Sequence, residues 1–281
     1  MLPPLSRVGV QGTPPSSPLD FDYLKQWHHT LLSWSAGVIT FPACIGLFQA
    51  LIFRPLQISN ATFGARVFGI CSVGTAGVMA SIGLLGTSAY LLKFGTDMTE
   101  AVVSSLDTRH ILFNGVASAV WFYILGGRFH SVLPSSLVNP GAFANRGLTA
   151  SFNYASNEKK KKLNFQGKQH GCHTCGRFWL IDKFIADHQP PLAVIRDMML
   201  KRRYIFGIFP TRPKIPNQRF YPQCNQCSQK QQNYLSALSR VKVQRLKLKW
   251  RHIVTHGTSL RLYHVWLPFP FIYHMFEPLK G

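Results

Sequence analysis

The sequence predicts an α-helical membrane protein with two or three transmembrane helices, followed by a small α+β module. Three observations predict this architecture. Long uncharged stretches occupy the first half of the 281-residue chain, nearly all of its formal net charge of +21 lies in the second half, and four of its six cysteines form two C-x-x-C pairs there. A charge-poor apolar block followed by a basic block is typical of a membrane anchor joined to a soluble domain.

The N-terminal residues 1–26 are expected to form a disordered tail. Residues 1–20 are rich in Pro, Gly and Ser and contain a single Arg. They lack the apolar core of about 7–15 residues that a secretory signal requires. A mitochondrial presequence is the alternative interpretation of this stretch.

Residues 27–126 are predicted to hold the membrane spans, and two stretches within them are long enough to cross a bilayer. Residues 31–53 contain no charge, and at ~1.5 Å per residue they would extend roughly 34 Å as a helix. Residues 67–92 are also uncharged, and Ser72, Ala76 and Ala80 recur there every four positions. Small residues at this spacing let a second helix approach closely. Buried helices of a soluble protein are the alternative.

A third span is predicted over residues 109–128. Its uncharged core, residues 111–126, is short for a crossing and is flanked by Arg109 and Arg128. The side chains of flanking arginines can extend to the membrane surface and so lengthen the segment. A re-entrant or surface helix is the alternative.

The distribution of charge predicts the orientation of a multi-pass integral membrane protein. With three spans, the loop at residues 54–66 lies on the same side as the C-terminal half, and the acidic loop at residues 97–107 lies on the other. Basic segments favour the cytosolic side, so the C-terminal half is expected in the cytosol. With two spans the C-terminal half keeps this location.

Residues 127–170 are predicted to be a basic linker between the two halves. Its most basic part is the run of four lysines at 159–162, preceded by Glu158. Such a run attracts anionic lipid headgroups, at about 1 kcal/mol per basic residue. A solvated, disordered linker is the alternative.

The remaining residues, 171–281, are predicted to form a zinc module with a basic C-terminal extension. Cys172 and Cys175 form the first C-x-x-C pair, and Cys224 and Cys227 form the second. Two such pairs supply the four thiolates of a tetrahedral structural zinc site, which leaves no open position for a catalytic water. Redox-active dithiols and four free thiols are the alternatives.

The segment between the two pairs resembles a known enzyme family. Residues 184–191 read FIADHQPP, in which apolar residues lead into Asp187-His188 and prolines follow. This arrangement resembles the zinc-containing HNH (His-Me finger, McrA-like) nucleases, in which an Asp-His strand also lies between two C-x-x-C pairs. The resemblance covers residues 172–232, about a fifth of the chain, and implies a treble-clef-like fold.

The resemblance implies a role for each motif residue. Asp187 would bind a catalytic Mg²⁺ ion, and His188 would act as general base on the attacking water. The position after the second cysteine pair, where the family has Asn or His, is Ser228.

Two hypotheses follow from the whole pattern. The first is a non-enzymatic interaction module for anionic lipid, nucleic acid or an unknown protein partner. The second is a membrane-tethered HNH-type endonuclease.

The C-terminal extension adds two further features. Residues 240–251 alternate basic and apolar side chains, which predicts a strand with one basic face. That face would bind phosphates of nucleic acid or lipid, or would simply be solvated. Residues 264–273 are aromatic and interrupted by prolines, so they would lie at the membrane interface or cover the zinc module.

Overall fold

In the part of the first half that the structure describes, the chain forms three helices. The computed structural model describes residues 21–92, 108–137, 139–200, 203–205, 209–211, 217–240, 253–254, 261 and 264. Helix α1 (Phe21–Leu47) continues into a π-helical segment (Phe48–Phe53). Helices α2 (Ala65–Leu92) and α3 (Thr108–Ile124) follow.

The described residues of the second half of the chain form short strands and three further helices. After a 3₁₀ turn (Phe129–Val132), the elements in chain order are β1 (Ser135–Ser136), β2 (Leu148–Thr149), α4 (Asn157–His170), β3 (Ile185–Gln189), α5 (Leu192–Leu200), β4 (Arg203–Ile205), β5 (Phe209–Thr211), β6 (Arg219–Gln223), α6 (Asn225–Arg240) and β7 (Ile253–Val254). Three of these strands form an antiparallel sheet with the order β2-β6-β3, and two smaller strand pairs, β1-β7 and β4-β5, accompany it.

Among the described residues, two helices are long and apolar enough to span a membrane. They are His28–Phe53 and Ala65–Ser88, which contain most of the predicted spans at 31–53 and 67–92. The third predicted span corresponds to a shorter apolar helix, Ile111–Ile124. The structure therefore confirms the two long apolar helices, and the third is too short to pass the same test.

The small residues of α2 lie at helix contacts, as their spacing predicts. Ser72, Ala76 and Ala80 are only 2%, 0% and 0% exposed. Helix α2 packs against both α1 and α3. On the α3 side the approach is close, since a Cβ atom added to Gly74 would lie 3.3 Å from the carbonyl oxygen of Gly115.

The boundaries of two predicted segments differ in the structure. Helix α1 begins at Phe21, so residues 21–26 of the expected tail are helical, while residues 1–20 lie outside the described residues. The expected linker, residues 127–170, contains β1, β2 and α4. It also bonds to the first half, where the Gln49 side-chain amide donates to the Val132 carbonyl over 2.9 Å. These contacts join residues far apart in the chain, which is why local composition did not predict them.

Helix α4 has clear start and stop signals although its sequence is dominated by lysine. Ser156 is the N-cap, and its hydroxyl accepts a hydrogen bond from the Lys159 amide at 3.3 Å. Glu158 lies in the first turn, where a negative charge is favourable. Gly171 ends the helix with a φ of +84°, which favours glycine. The four lysines are thus part of a folded helix.

The predicted basic strand at 240–251 is outside the described residues except for Arg240, which ends α6. Of the aromatic segment at 264–273, only His264 is described.

Candidate metal centre

The first cysteine pair lies in a tight turn after α4. The Cys172 amide donates to the Arg177 carbonyl at 2.9 Å, and the Gly176 amide donates to the Cys172 carbonyl at 2.8 Å. Gly176 has a φ of +76°, and a Cβ atom there would lie 2.7 Å from the Phe143 ring. The turn therefore requires glycine directly after Cys175.

The second pair lies where β6 passes into α6. Cys224 follows the strand, and its carbonyl accepts a hydrogen bond from the Ser228 amide at 3.0 Å. Cys227 is in the first turn of α6 (Asn225–Arg240). Free amides at a helix N-terminus stabilise negative charge, so this position favours thiolates.

Pairing of β3 with β6 brings the two cysteine pairs together. The strands are antiparallel, and Ile185 is opposite Gln223, the residue before Cys224. Phe184 is buried and packs with the four cysteines, and Ile181 contacts the same cluster. The cysteines are therefore surrounded by apolar side chains.

The four sulfur atoms form a compact group that can hold a metal ion. All four Sγ atoms lie within 4.8 Å of one another, and all four cysteines are buried. The Sγ atoms of Cys175 and Cys224 are 3.8 Å apart. Tetrahedral zinc with Zn–S bonds of about 2.3 Å implies S···S separations of about 3.8 Å. A disulfide would need about 2.05 Å. The donors and their spacing fit a zinc ion.

The four thiols lie close enough to shift one another's pKa. Burial raises the pKa of Cys172, whereas a hydrogen bond with Cys172 lowers the pKa of Cys224. A hydrogen bond with Cys172 also raises the pKa of Cys227. Several thiolates cannot share an apolar site without a compensating charge, and a divalent cation supplies that charge.

Asp187, the predicted Mg²⁺ ligand, is held in a hydrogen-bond network beside the cysteines. Its Oδ2 atom is 3.1 Å from His173 Nε2 and accepts a hydrogen bond from the Gln189 side-chain amide at 2.6 Å. Its Oδ1 atom accepts a hydrogen bond from the Gln231 side-chain amide at 3.0 Å. The Gly141 amide donates to His173 Nδ1 at 3.0 Å, so Nε2 carries the proton and donates to Asp187.

The same network continues through Gln223, which is fully buried. Its side-chain amide donates to Thr174 Oγ1 at 3.1 Å and to Gln231 Oε1 at 2.9 Å. Thr174 in turn accepts at its carbonyl from the Ser135 hydroxyl at 2.7 Å. The network therefore joins the first cysteine turn, the sheet, α6 and the segment after α3.

His188, the predicted general base, has different partners from Asp187. Its Nε2 atom donates to the Ser151 carbonyl at 3.1 Å, and its ring centroid is 4.4 Å from that of Phe220. The side chain is buried, with 8% exposure. Successive side chains of a strand point to opposite faces of the sheet. The side chains of Asp187 and His188, the two predicted catalytic groups, therefore contact different residues.

Sequence reasoning missed two residues of this centre. His173, between the first two cysteines, was not singled out, and its position in the C-x-x-C turn was the available signal. Arg261 donates to the Gly176 carbonyl at 2.7 Å and to the His170 carbonyl. Its guanidinium also lies 5.4 Å from the Phe143 ring. No sequence pattern marks a lone arginine so far from the cysteines.

Comparison of the chain with protein-family models, curated proteins and solved structures finds no match. The resemblance to HNH nucleases rests on the motif residues alone.

Proposed function

We propose that the protein is a multi-pass integral membrane protein whose C-terminal half forms a treble-clef-like structural zinc module on the cytosolic side. The module acts as a non-enzymatic interaction unit for an anionic partner. The observation that carries the proposal is the group of four buried sulfur atoms within 4.8 Å of one another. Four thiolate ligands complete a tetrahedral site and leave no position for substrate.

The surface of the helical half supports membrane insertion. Only 28% of the most apolar stretch of His28–Phe53 is buried, and only 44% of the most apolar stretch of Ala65–Ser88. Large apolar side chains such as Ile39, Leu51 and Val67 are exposed. A soluble protein would bury such helices, whereas a bilayer solvates their exposed apolar faces.

Contacts of the loop between α1 and α2 support the proposed topology. The Asn60 amide donates to the Pro134 carbonyl at 3.0 Å, and its side chain donates to the Pro140 carbonyl. These contacts favour a shared side of the membrane for the loop and the C-terminal half. Zinc thiolates persist in a reducing compartment, and basic segments favour the cytosol.

Zinc content and topology together test the proposal. The purified full chain is expected to contain one zinc per molecule by elemental analysis, and Cys224→Ser should lose it. Cys71→Ser, a cysteine of α2 outside the cluster, is the matched control and should keep it. A C-terminal tag should be protected from protease in intact cells and cleaved after permeabilisation. A zinc-free chain, or a tag cleaved from outside, contradicts the proposal.

The HNH-type nuclease remains the second candidate, because Asp187 and His188 lie on one strand between the two cysteine pairs, the arrangement that the resemblance expects. Its test is Mg²⁺-dependent DNA cleavage by the full chain beside His188→Ala. Cleavage that is lost in this variant would establish the enzyme and overturn the non-enzymatic proposal. Absence of cleavage by a zinc-loaded chain would remove the second candidate.

A further inference from the structure

A basic cleft lies between α4 and the loop that leads into β2. Its volume is about 650 Å³, and its walls include Arg146, Lys161, Lys162, Phe165, Gln166 and His170. Among the described residues, no acidic side chain lines it. The cleft therefore offers positive charge beside an aromatic ring.

The four consecutive lysines of α4 differ in what their side chains contact. Lys159 serves the fold, since its ammonium group donates to the Thr149 carbonyl at 3.0 Å and lies 5.8 Å above the Phe220 ring. Lys160 is exposed and does not line the cleft. Lys161 and Lys162 do line it. Phe165 follows Lys161 by four residues and Gln166 follows Lys162 by four, so the four side chains occupy adjacent positions on one helix face.

Some polar groups of the cleft form no ion pair or hydrogen bond with the described residues of the protein. Lys162 pairs with Glu158 at 2.6 Å, on the exposed surface of the helix. Within the part of the chain that the structure describes, Arg146 and Lys161 form no salt bridge, and the buried Oε1 atom of Gln166 has no hydrogen-bond partner. Two cations thus remain for a ligand with phosphoryl oxygens.

The position of the cleft relative to α3 identifies the source of such a ligand. Arg128 lies just after the end of α3, and its guanidinium donates to the Ala144 carbonyl at 3.0 Å. It also contacts Asn145 Oδ1 at 3.5 Å, and Asn145 and Arg146 form one wall of the cleft. One wall is therefore attached to the end of an apolar helix, where the surface of a bilayer would lie.

We infer that this cleft binds the phosphate headgroup of an anionic phospholipid. Arg146 and Lys161 hold the phosphate oxygens, and Phe165, which is 62% exposed, contacts the apolar part of the same lipid. The inference rests on the membrane placement proposed above and names lipid as the partner of this surface.

Binding of defined lipids to the detergent-solubilised full chain tests the inference. Native mass spectrometry would compare dioleoyl phosphatidic acid with dioleoyl phosphatidylcholine. Wild type should retain the anionic lipid preferentially. Arg146→Ala and Lys161→Ala should each weaken this binding roughly fivefold, the effect expected for one basic residue near a lipid phosphate. Lys160→Ala removes the same charge from the same helix outside the cleft and should bind like wild type.

Three results would overturn the inference. Equal retention of phosphatidylcholine would show that phosphate charge is not recognised. An equal loss in Lys160→Ala would show that the effect is diffuse attraction. Displacement of the lipid by millimolar inorganic phosphate would show a site for the free anion. An unchanged denaturant-unfolding midpoint of each variant establishes that it is folded. Because this control does not depend on zinc and the assay uses detergent, the outcome is independent of both the zinc test and the topology test.

Discussion

His173 Nε2 donates a hydrogen bond to Asp187 Oδ2 across 3.1 Å, which ties the first cysteine turn to β3, an outer strand of the three-stranded sheet. Asp187 accepts two further bonds, from Gln189 and Gln231, so both carboxylate oxygens have partners within the protein. The carboxylate that the HNH resemblance assigns to Mg²⁺ therefore has a structural use in this chain.

Replacement of Asp187 tests this structural use. Asp187→Ala leaves the side-chain amides of Gln189 and Gln231 without their acceptor in a largely buried site. We therefore expect a loss of about 2–3 kcal/mol in the free energy of unfolding. The measurement is denaturant unfolding of the zinc-loaded full chain. Asp182→Ala removes the same charge from an exposed site and should change stability by less than about 0.5 kcal/mol. Similar values for the two variants would contradict a structural role.

Removal of zinc should affect the C-terminal half far more than the apolar helices α1 and α2. The sulfur cluster with Phe184 forms a separate core, whereas the helices pack around Phe41, Ile45 and Val73. A metal site that forms only on folding contributes its binding energy to stability. Addition of a strong chelator should therefore expose sites after residue 150 to protease and leave the α1–α2 region intact. Unchanged proteolysis after confirmed zinc loss would refute the coupling.

Substitution of two glycines with nearly the same φ angle distinguishes the cost of backbone strain from the cost of a steric clash. Gly171 has a φ of +84°, and a Cβ atom there would overlap the carbonyl oxygen of Gly176. Gly126 has a φ of +83° but nothing within 4 Å. Gly126→Ala should cost about 1 kcal/mol, the usual penalty of this conformation, while Gly171→Ala should cost at least 1 kcal/mol more and lower zinc content. Equal stability losses would show that the turn can relax.

The sequence predicted the parts of the structure that depend on local spacing. Uncharged runs defined the two long helices, and two C-x-x-C pairs identified the four cysteines that come together. The stretch after α3 was predicted as a linker because its composition is typical of loops. Its ordered structure depends on contacts such as Gln49 with Val132, which are 83 residues apart, and no local pattern records such a contact.

In the candidate site, too, local sequence predicted some features, while others depend on contacts between distant residues. Spacing placed Asp187 and His188 on one strand, which is confirmed, but could not show that their side chains have separate partners. The lysine run was identified from composition, yet the separate role of Lys159 depends on Thr149 and Phe220 across the β2-β6 pair.

The buried imidazole of His264 predicts a loss of stability in acid. Burial, with a smaller contribution from Arg261, lowers the pKa of His264 from 6.5 to about 3. Its ring lies 6.0 Å from those of both Phe122 and Phe143, between the end of α3 and the cysteine turn. The unfolded chain therefore binds one more proton than the folded chain between these pH values. Stability is fully present above about pH 6.5 and falls as the pH decreases toward 3.

The variant His264→Phe isolates this contribution, because it keeps an aromatic ring and removes the titration. Wild type should lose stability by up to about 1.4 kcal/mol per pH unit over part of the range, in addition to any loss from acid release of zinc. The variant shares the zinc loss, so the difference between the two unfolding curves from pH 7.5 to pH 4.5 measures His264 alone. Parallel curves would show that His264 is not buried in its neutral form at this junction.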